Sequence, residues 1–228
     1  MTGKFTEYLY EKARPIWEAS HQHPFVTGIG DGSLPVEKFR FFMCQDYVYL
    51  KDYAKLFAMG AIKSPTLAMA GKFADLLQST LNVEMELHRQ YARKFDITAE
   101  ELEATEPAPY TLAYTKYMLD AAHQGDIADL VAVLLPCMWS YWEIGVRLSE
   151  NRTLTRALPE DSVYNEWIDM YASKEFAELS RWLIETMDDL AFGLPERRHK
   201  ELAKYFVTAS RFEYLFWEMA YRQENWPI

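Results

Sequence analysis

The chain has 228 residues, 50% of them hydrophobic and 25% charged, with 9 Gly and 10 Pro spread along it. This is the profile of a folded globular protein, and it excludes collagen-like, mucin-like and long-linker architectures. Against 24 Lys and Arg stand 34 Asp and Glu, a formal charge of -10, and no basic run is long enough to follow a phosphate backbone, so nucleic acid is not an expected partner.

Two cysteines, Cys44 and Cys137, with no C-x-x-C between them, give neither a disulfide framework nor a cysteine zinc site and suit a reducing compartment. The start, MTGKFTEYLYEKARP, carries charge throughout and lacks the apolar core of a signal peptide. Asp129 and Pro136 interrupt the most apolar stretch, Ile127 to Trp142. The expectation is a cytoplasmic protein with no membrane contact.

Apolar residues recur at helical spacing almost everywhere and no segment alternates strictly, so the fold class read from the pattern is all-α, with about eight helices. The first runs from Phe5 to about Ser20. HPFVTGIGDGSLP reads as a loop, and Pro35 opens a long helix to about Ser64. Another long helix is expected over Thr66 to Phe95, a short one near Ala99 to Ala104, and one over Tyr110 to His123 after the break at Pro107 and Pro109. Asp126 caps the next, through about Ser149; NRTLTRALPED reads as a loop, SVYNEWIDMY and Phe176 to Leu190 as helices, and Pro195 starts the last, to about Arg222. No internal repeat and no Gly/Ser linker divides the chain, so a single domain over residues 1–228 is expected.

In such a sequence the informative residues are polar ones on core-facing stripes, because burying them needs a reason. Asp46 falls within the stripe Phe39, Phe42, Tyr49, Leu50 and Tyr53; Glu213 falls within Leu202, Phe206, Ala209, Phe216, Trp217 and Ala220. Cys137 shares a face with Leu130, Val133, Leu134, Tyr141 and Ile144 and follows Pro136 inside a helix, where a proline costs about 3 kcal/mol. Each has a plain structural alternative: an inert small thiol, or a carboxylate bonded to backbone or Arg. Together with surplus tyrosines, at Tyr110, Tyr114 and Tyr117, Tyr141, and Tyr171, they suit a pocket that stacks a flat heteroaromatic ring and fixes its nitrogens by hydrogen bonds. Cys44 projects toward the charged side and reads as incidental.

The segments HPFVTGIGDGSLP, QDYVYL, LLPCMWSYWEIG, WIDMY and SRFEYLFWEMAYR resemble those of the thiaminase II (TenA) family, over nearly the whole chain. The resemblance implies a haem-oxygenase-like helical bundle without haem and without a metal or other cofactor. It implies a homotetramer that hydrolyses aminopyrimidines derived from thiamin, its small-molecule partners, and can also split thiamin. The family's nucleophilic cysteine falls on Cys137, its catalytic glutamate on Glu213 and its pyrimidine-binding aspartate on Asp46. Other pocket positions carry over to Tyr49, Tyr114, Tyr141, Tyr171 and Phe216, with a neighbouring tyrosine of the 110–117 segment as the alternative to Tyr114.

The expected chemistry is addition of the Cys137 thiolate to the electron-poor ring and protonation of the leaving group by Glu213, whose apolar surroundings are expected to raise its pKa. Asp46 would hold a ring nitrogen or the exocyclic amine, with Tyr49 supporting the thiolate. Two other classes compete. One is a di-metal carboxylate bundle, suggested by Glu18 with His21 and Glu196 with His199, although Glu18 faces away from the apolar side. The other is a non-catalytic pyrimidine-binding or regulatory protein, against which only the nucleophile argues. His88, in ELHRQY, reads as an ordinary partly buried or surface histidine.

Overall fold

The computed structural model describes residues 3–155 and 158–228; within them the protein is all-α, with eleven α-helices and no strand. They are α1 (Phe5–His21), α2 (Pro24–Asp31), α3 (Val36–Lys63), α4 (Leu67–Ser79), α5 (Met85–Lys94), α6 (Ala99–Glu103), α7 (Pro109–Gln124), α8 (Ile127–Thr155), α9 (Asn165–Tyr171), α10 (Lys174–Ala191) and α11 (Glu196–Arg222). The chain folds as two compact units: one of residues up to Pro35 with Val131–Glu218, the other of Val36–Leu130 with Met219–Ile228.

Three segments depart from the sequence expectation. HPFVTGIGDGSLP is not all loop: α2 begins on Pro24, with the His23 side chain accepting from the Phe25 N–H at 3.1 Å, and ends on Gly32 in the left-handed region at φ 79°. Burial of Phe25, Val26 and Ile29 overrides the glycine content of the segment. Gly28 allows the return of the chain, since a Cβ there would lie 3.0 Å from the Leu34 backbone nitrogen. Next, α8 runs to Thr155 rather than stopping at Ser149, and Arg156 and Ala157 of the expected loop lie outside the described residues.

The third departure is inside the expected Thr66 to Phe95 helix. A π turn, Thr80–Glu84, separates α4 from α5. After inward Phe73, Leu76 and Thr80, an uninterrupted α-helix would next bury Val83 or Glu84 and then Leu87. The extra residue of the π turn advances the phase, so Met85, His88 and Ala92 are buried while Val83 is 58% exposed.

In the first unit the core gathers around Trp17, which meets Trp139 and Phe206 at ring distances of 5.2 and 5.7 Å and donates from Nε1 to Ser210 Oγ at 3.1 Å. Asp188 on α10 receives both the backbone N–H and the hydroxyl of Thr6, tying down the start of α1. In α8, 72% of the most apolar window, mean hydropathy 1.4, is buried inside the protein. That helix is long and apolar enough to cross a membrane by length and composition, but most of its apolar window is covered by protein.

The second unit is organised on α3, against which α4, α5 and α7 pack. Gln45 fastens α7 to it: its Oε1 accepts from the Ala108 N–H and the Thr111 hydroxyl, both at 2.8 Å, and its Nε2 donates to the Glu106 carbonyl at 3.0 Å. Both the oxygen and the nitrogen of the amide are thereby engaged in a buried place, which fixes the register of α7 on α3. Asp126 caps α8 as expected, accepting from the Ala128 and Asp129 N–H groups at 2.8 and 3.2 Å.

Candidate functional site

The α3 stripe is buried as its periodicity predicts: Phe39, Phe42, Tyr49, Leu50 and Tyr53 are each at most 3% exposed, and Asp46 among them is also 3% exposed. Tyr49 stacks on Tyr53 at 5.2 Å and meets Tyr114 of α7 at 5.3 Å, with its hydroxyl 3.7 Å from Met118 Sδ. Of the three tyrosines on α7, Tyr114 is the buried one, while Tyr110 and Tyr117 are half-buried. The Gln45 latch sets this choice, because it fixes which face of α7 meets α3.

Asp46 does not stand alone. His88 of α5 is 1% exposed and places Nε2 at 2.8 Å from Asp46 Oδ2, while its Nδ1 lies 2.7 Å from the Glu84 carbonyl. The sequence expectation of an ordinary surface or partly buried histidine is corrected here. The π turn is the reason, since it rotates His88 onto the α3 side. Burial pushes the imidazole's pKa down, but the hydrogen bond and charge of Asp46 and the Glu84 carbonyl push it up by more, so it stands above its ordinary value.

In the first unit α8 carries Cys137 and, one turn later, Tyr141. Cys137 is half-buried; Leu130, Val133, Leu134, Tyr141 and Ile144 along the same face are at most 4% exposed. Tyr141 meets Tyr171 of α9 at 4.9 Å and Trp217 of α11 at 5.0 Å, and Trp167 packs against both Tyr141 and Tyr171. Gly145, two turns beyond Cys137, lets α9 come this close: a Cβ there would sit 2.6 Å from the Tyr171 carbonyl carbon.

On α11 the expected stripe is fully inward, with Leu202, Phe206, Ala209, Phe216, Trp217 and Ala220 at most 2% exposed. Glu213 is 3% exposed and lies one turn before Trp217. Thus the Tyr141–Trp217 ring contact has the thiol one turn away along α8 and the carboxyl one turn away along α11. At half-buried Cys44 burial pushes the thiol pKa up, more than Arg40 lowers it, which suppresses the nucleophilic thiolate.

The two E-x-x-H pairs do not converge. His199 stacks on Phe5 at 4.7 Å with Nε2 2.9 Å from the Ala191 carbonyl, and exposed Glu196 is paired with Lys200 at 2.8 Å. His21 faces Glu143 at 3.9 Å beside Arg147, its pKa pushed down by burial and by that guanidinium, while Glu18 is exposed. Among the described residues no group of three His, Cys, Asp or Glu is placed to hold a metal ion.

Residues 10–223 match the model of the TENA/THI-4/PQQC family. An aminopyrimidine aminohydrolase of Halalkalibacterium halodurans is 54% identical over 225 residues, covering 97% of this chain and 97% of that one. Among solved structures, a TenA homologue from P. horikoshii OT3 superposes with a TM-score of 0.87 at 32% identity, over 96% of this chain and 99% of that one. A Shewanella denitrificans domain described as having a heme oxygenase-like fold matches with a TM-score of 0.74 at 13% identity, covering 98% of this chain and 94% of that one. The all-α, haem-oxygenase-like fold expected from the sequence is the fold observed.

Proposed function

Because this chain belongs to the TENA/THI-4/PQQC family, we propose that it is an aminopyrimidine aminohydrolase of thiamin salvage, converting 4-amino-5-aminomethyl-2-methylpyrimidine and water to the 5-hydroxymethyl compound and ammonia. The observation that carries this reading is the Tyr141–Trp217 contact, with a half-buried thiol one turn away on one helix and a buried carboxyl one turn away on the other. Burying a carboxyl on an apolar helix face is costly, and an acid is what departure of an amine needs.

In the proposed reaction the Cys137 thiolate forms a bond to a ring carbon, and the electron pair it brings in expels the amine from the neighbouring methylene. Glu213 gives that amine its proton. Water then adds to the exocyclic methylene, Glu213 takes back a proton, and the C–S bond breaks to return the thiolate and the aromatic ring. The family resemblance gives Tyr49, Tyr114, Tyr141, Tyr171 and Phe216 the part of orienting the ring and Asp46 the part of holding the pyrimidine's nitrogen edge. Thiamin would be cleaved by the same thiolate addition, its thiazolium leaving as neutral thiazole without a proton, and the proton released when water adds to the methylene would pass to ionised Glu213 and on to solvent.

The reading includes a homotetramer, which the family resemblance implies. Incubating the protein and Cys137→Ala with the aminomethylpyrimidine or with thiamin, and following hydroxymethylpyrimidine by chromatography, tests the activity. Cysteine-dependent product is expected; equal product from Cys137→Ala, or none from either substrate with wild type, overturns it.

A further inference from the structure

The buried His88–Asp46 pair has a property that neither residue has alone. The Glu84 carbonyl can only accept, so Nδ1 at 2.7 Å from it must carry a hydrogen. With Nδ1 so occupied, Nε2 at 2.8 Å from Asp46 Oδ2 makes a hydrogen bond only if a further proton lies between them. That proton belongs either to an imidazolium facing a carboxylate or to a carboxylic acid facing an imidazole. In both cases the pair as a whole is neutral, which is how a carboxyl and an imidazole at 3% and 1% exposure are accommodated. In both cases, too, the proton sits on the His88 side of the carboxyl group, and Oδ1 is left as an acceptor only.

We propose that His88 is a positioning residue which locks Asp46 so that Oδ1 accepts a hydrogen bond from an N–H of the pyrimidine, either its exocyclic amino group or a protonated ring nitrogen. The inference rests on the aminopyrimidine reading of the function and deepens it. A locked acceptor selects against pyrimidines that offer only a bare ring nitrogen at this point, because that would set lone pair against lone pair. Where the N–H is that of a protonated ring nitrogen, the same contact withdraws electrons from the ring and favours thiolate addition.

The surroundings leave this proton to the pair. From α3 the charged group facing His88 is Asp46, and from its own helical rod it is Glu84. On α6, Glu103 is taken by Lys51 at 2.7 Å and by the Tyr47 hydroxyl. Arg89, one residue beyond His88, pairs with Glu86 at 2.8 Å. The raised pKa of His88 agrees with a proton retained against burial. The π turn is what makes the arrangement: one residue fewer would carry His88 off the α3 face and leave Asp46 buried without its partner.

The test uses the full-length protein with hydroxymethylpyrimidine and its analogue lacking the 4-amino group as probes. His88→Ala is expected to weaken hydroxymethylpyrimidine binding and raise KM by about 10- to 100-fold, the worth of a hydrogen bond to a charged group, with a smaller change in kcat. His88→Gln, which can still donate to Oδ2, is expected to recover most of this. A folded His88→Ala that binds both probes and turns over substrate as wild type overturns the proposal. Should His88→Ala fail to fold, the ring of ligand-free wild type decides by NMR. Two slowly exchanging downfield protons, one on Nδ1 and one at Nε2, are expected to persist above about pH 6.5, where a free imidazole loses its second proton, whereas a ring with one such proton that titrates near that value overturns it. This spectrum needs no substrate, so a protein that neither binds nor hydrolyses pyrimidines refutes the function, not the proton.

Discussion

Replacing Gly145 by alanine adds one methyl group at the tightest approach of α8 to α9. That Cβ would stand 2.6 Å from the Tyr171 carbonyl carbon, 2.7 Å from Tyr171 Cβ and 2.8 Å from the Ala172 nitrogen, where ordinary contact begins at 3.4 Å. Two of these atoms are backbone, so no side chain can rotate out of the way; α9 has to move by nearly an ångström. Overpacking of this kind costs about 1–3 kcal/mol, offset by the smaller gain of alanine over glycine in a helix. For a chain of this length the melting temperature should fall by about 2–10 °C. The displacement also carries the Tyr171 ring off Tyr141 at 4.9 Å, so pyrimidine affinity should fall with stability. Gly71→Ala on α4 is the control: its Cβ meets nothing within 4 Å, and it should leave stability equal or raised by up to about 1 kcal/mol. Urea unfolding of the two variants beside wild type measures both effects. A Gly145→Ala midpoint equal to that of wild type would refute the assignment of Gly145 as the residue that sets the α8–α9 spacing.

Glu213→Gln should lower kcat by about 10²- to 10⁴-fold while product binding stays near wild type; unchanged turnover rules out its role as the acid. Cys44→Ala should retain turnover within about twofold, because burial keeps its thiol protonated, and a tenfold loss would contradict that. His88 enters the folded state with a raised pKa, so its bound proton stabilises fully below the unfolded value of about 6.5 and that stability is lost as pH rises through the folded value. The gap in urea midpoint between wild type and His88→Gln should therefore shrink as pH climbs above about 6.5, and a gap that widens would show the sign to be wrong.

Much of the fold was legible because helical periodicity is a local property. The stripes of α3 and α11 were read with Asp46 and Glu213 inside them, and both carboxyls are buried. The face of α8 that bears Cys137 was read the same way. Where local signals conflicted the reading failed: three glycines in HPFVTGIGDGSLP outweighed its apolar spacing, yet burial of Phe25, Val26 and Ile29 makes it α2. Among Tyr110, Tyr114 and Tyr117 periodicity could not say which is buried, because all three lie at helical spacing, although the family resemblance pointed to Tyr114. The Gln45 hydrogen bonds to Ala108 and Thr111 choose Tyr114.

His88 shows the boundary most plainly. Around it lie Leu81, Val83, Met85 and Leu87, apolar residues enough to support either of two helical phases. An extra residue in one turn costs little locally and leaves no mark in such a pattern. Only packing against α3 selects the phase that buries Met85 and His88 and exposes Val83. By itself, then, the sequence determined the long helices α3, α8 and α11 and which of their faces turn inward, because these follow from spacing along one element. The partner of Asp46, the closeness of Tyr171 to Tyr141 and the choice of Tyr114 were decided by tertiary structure, because each depends on how one element is rotated or spaced against another.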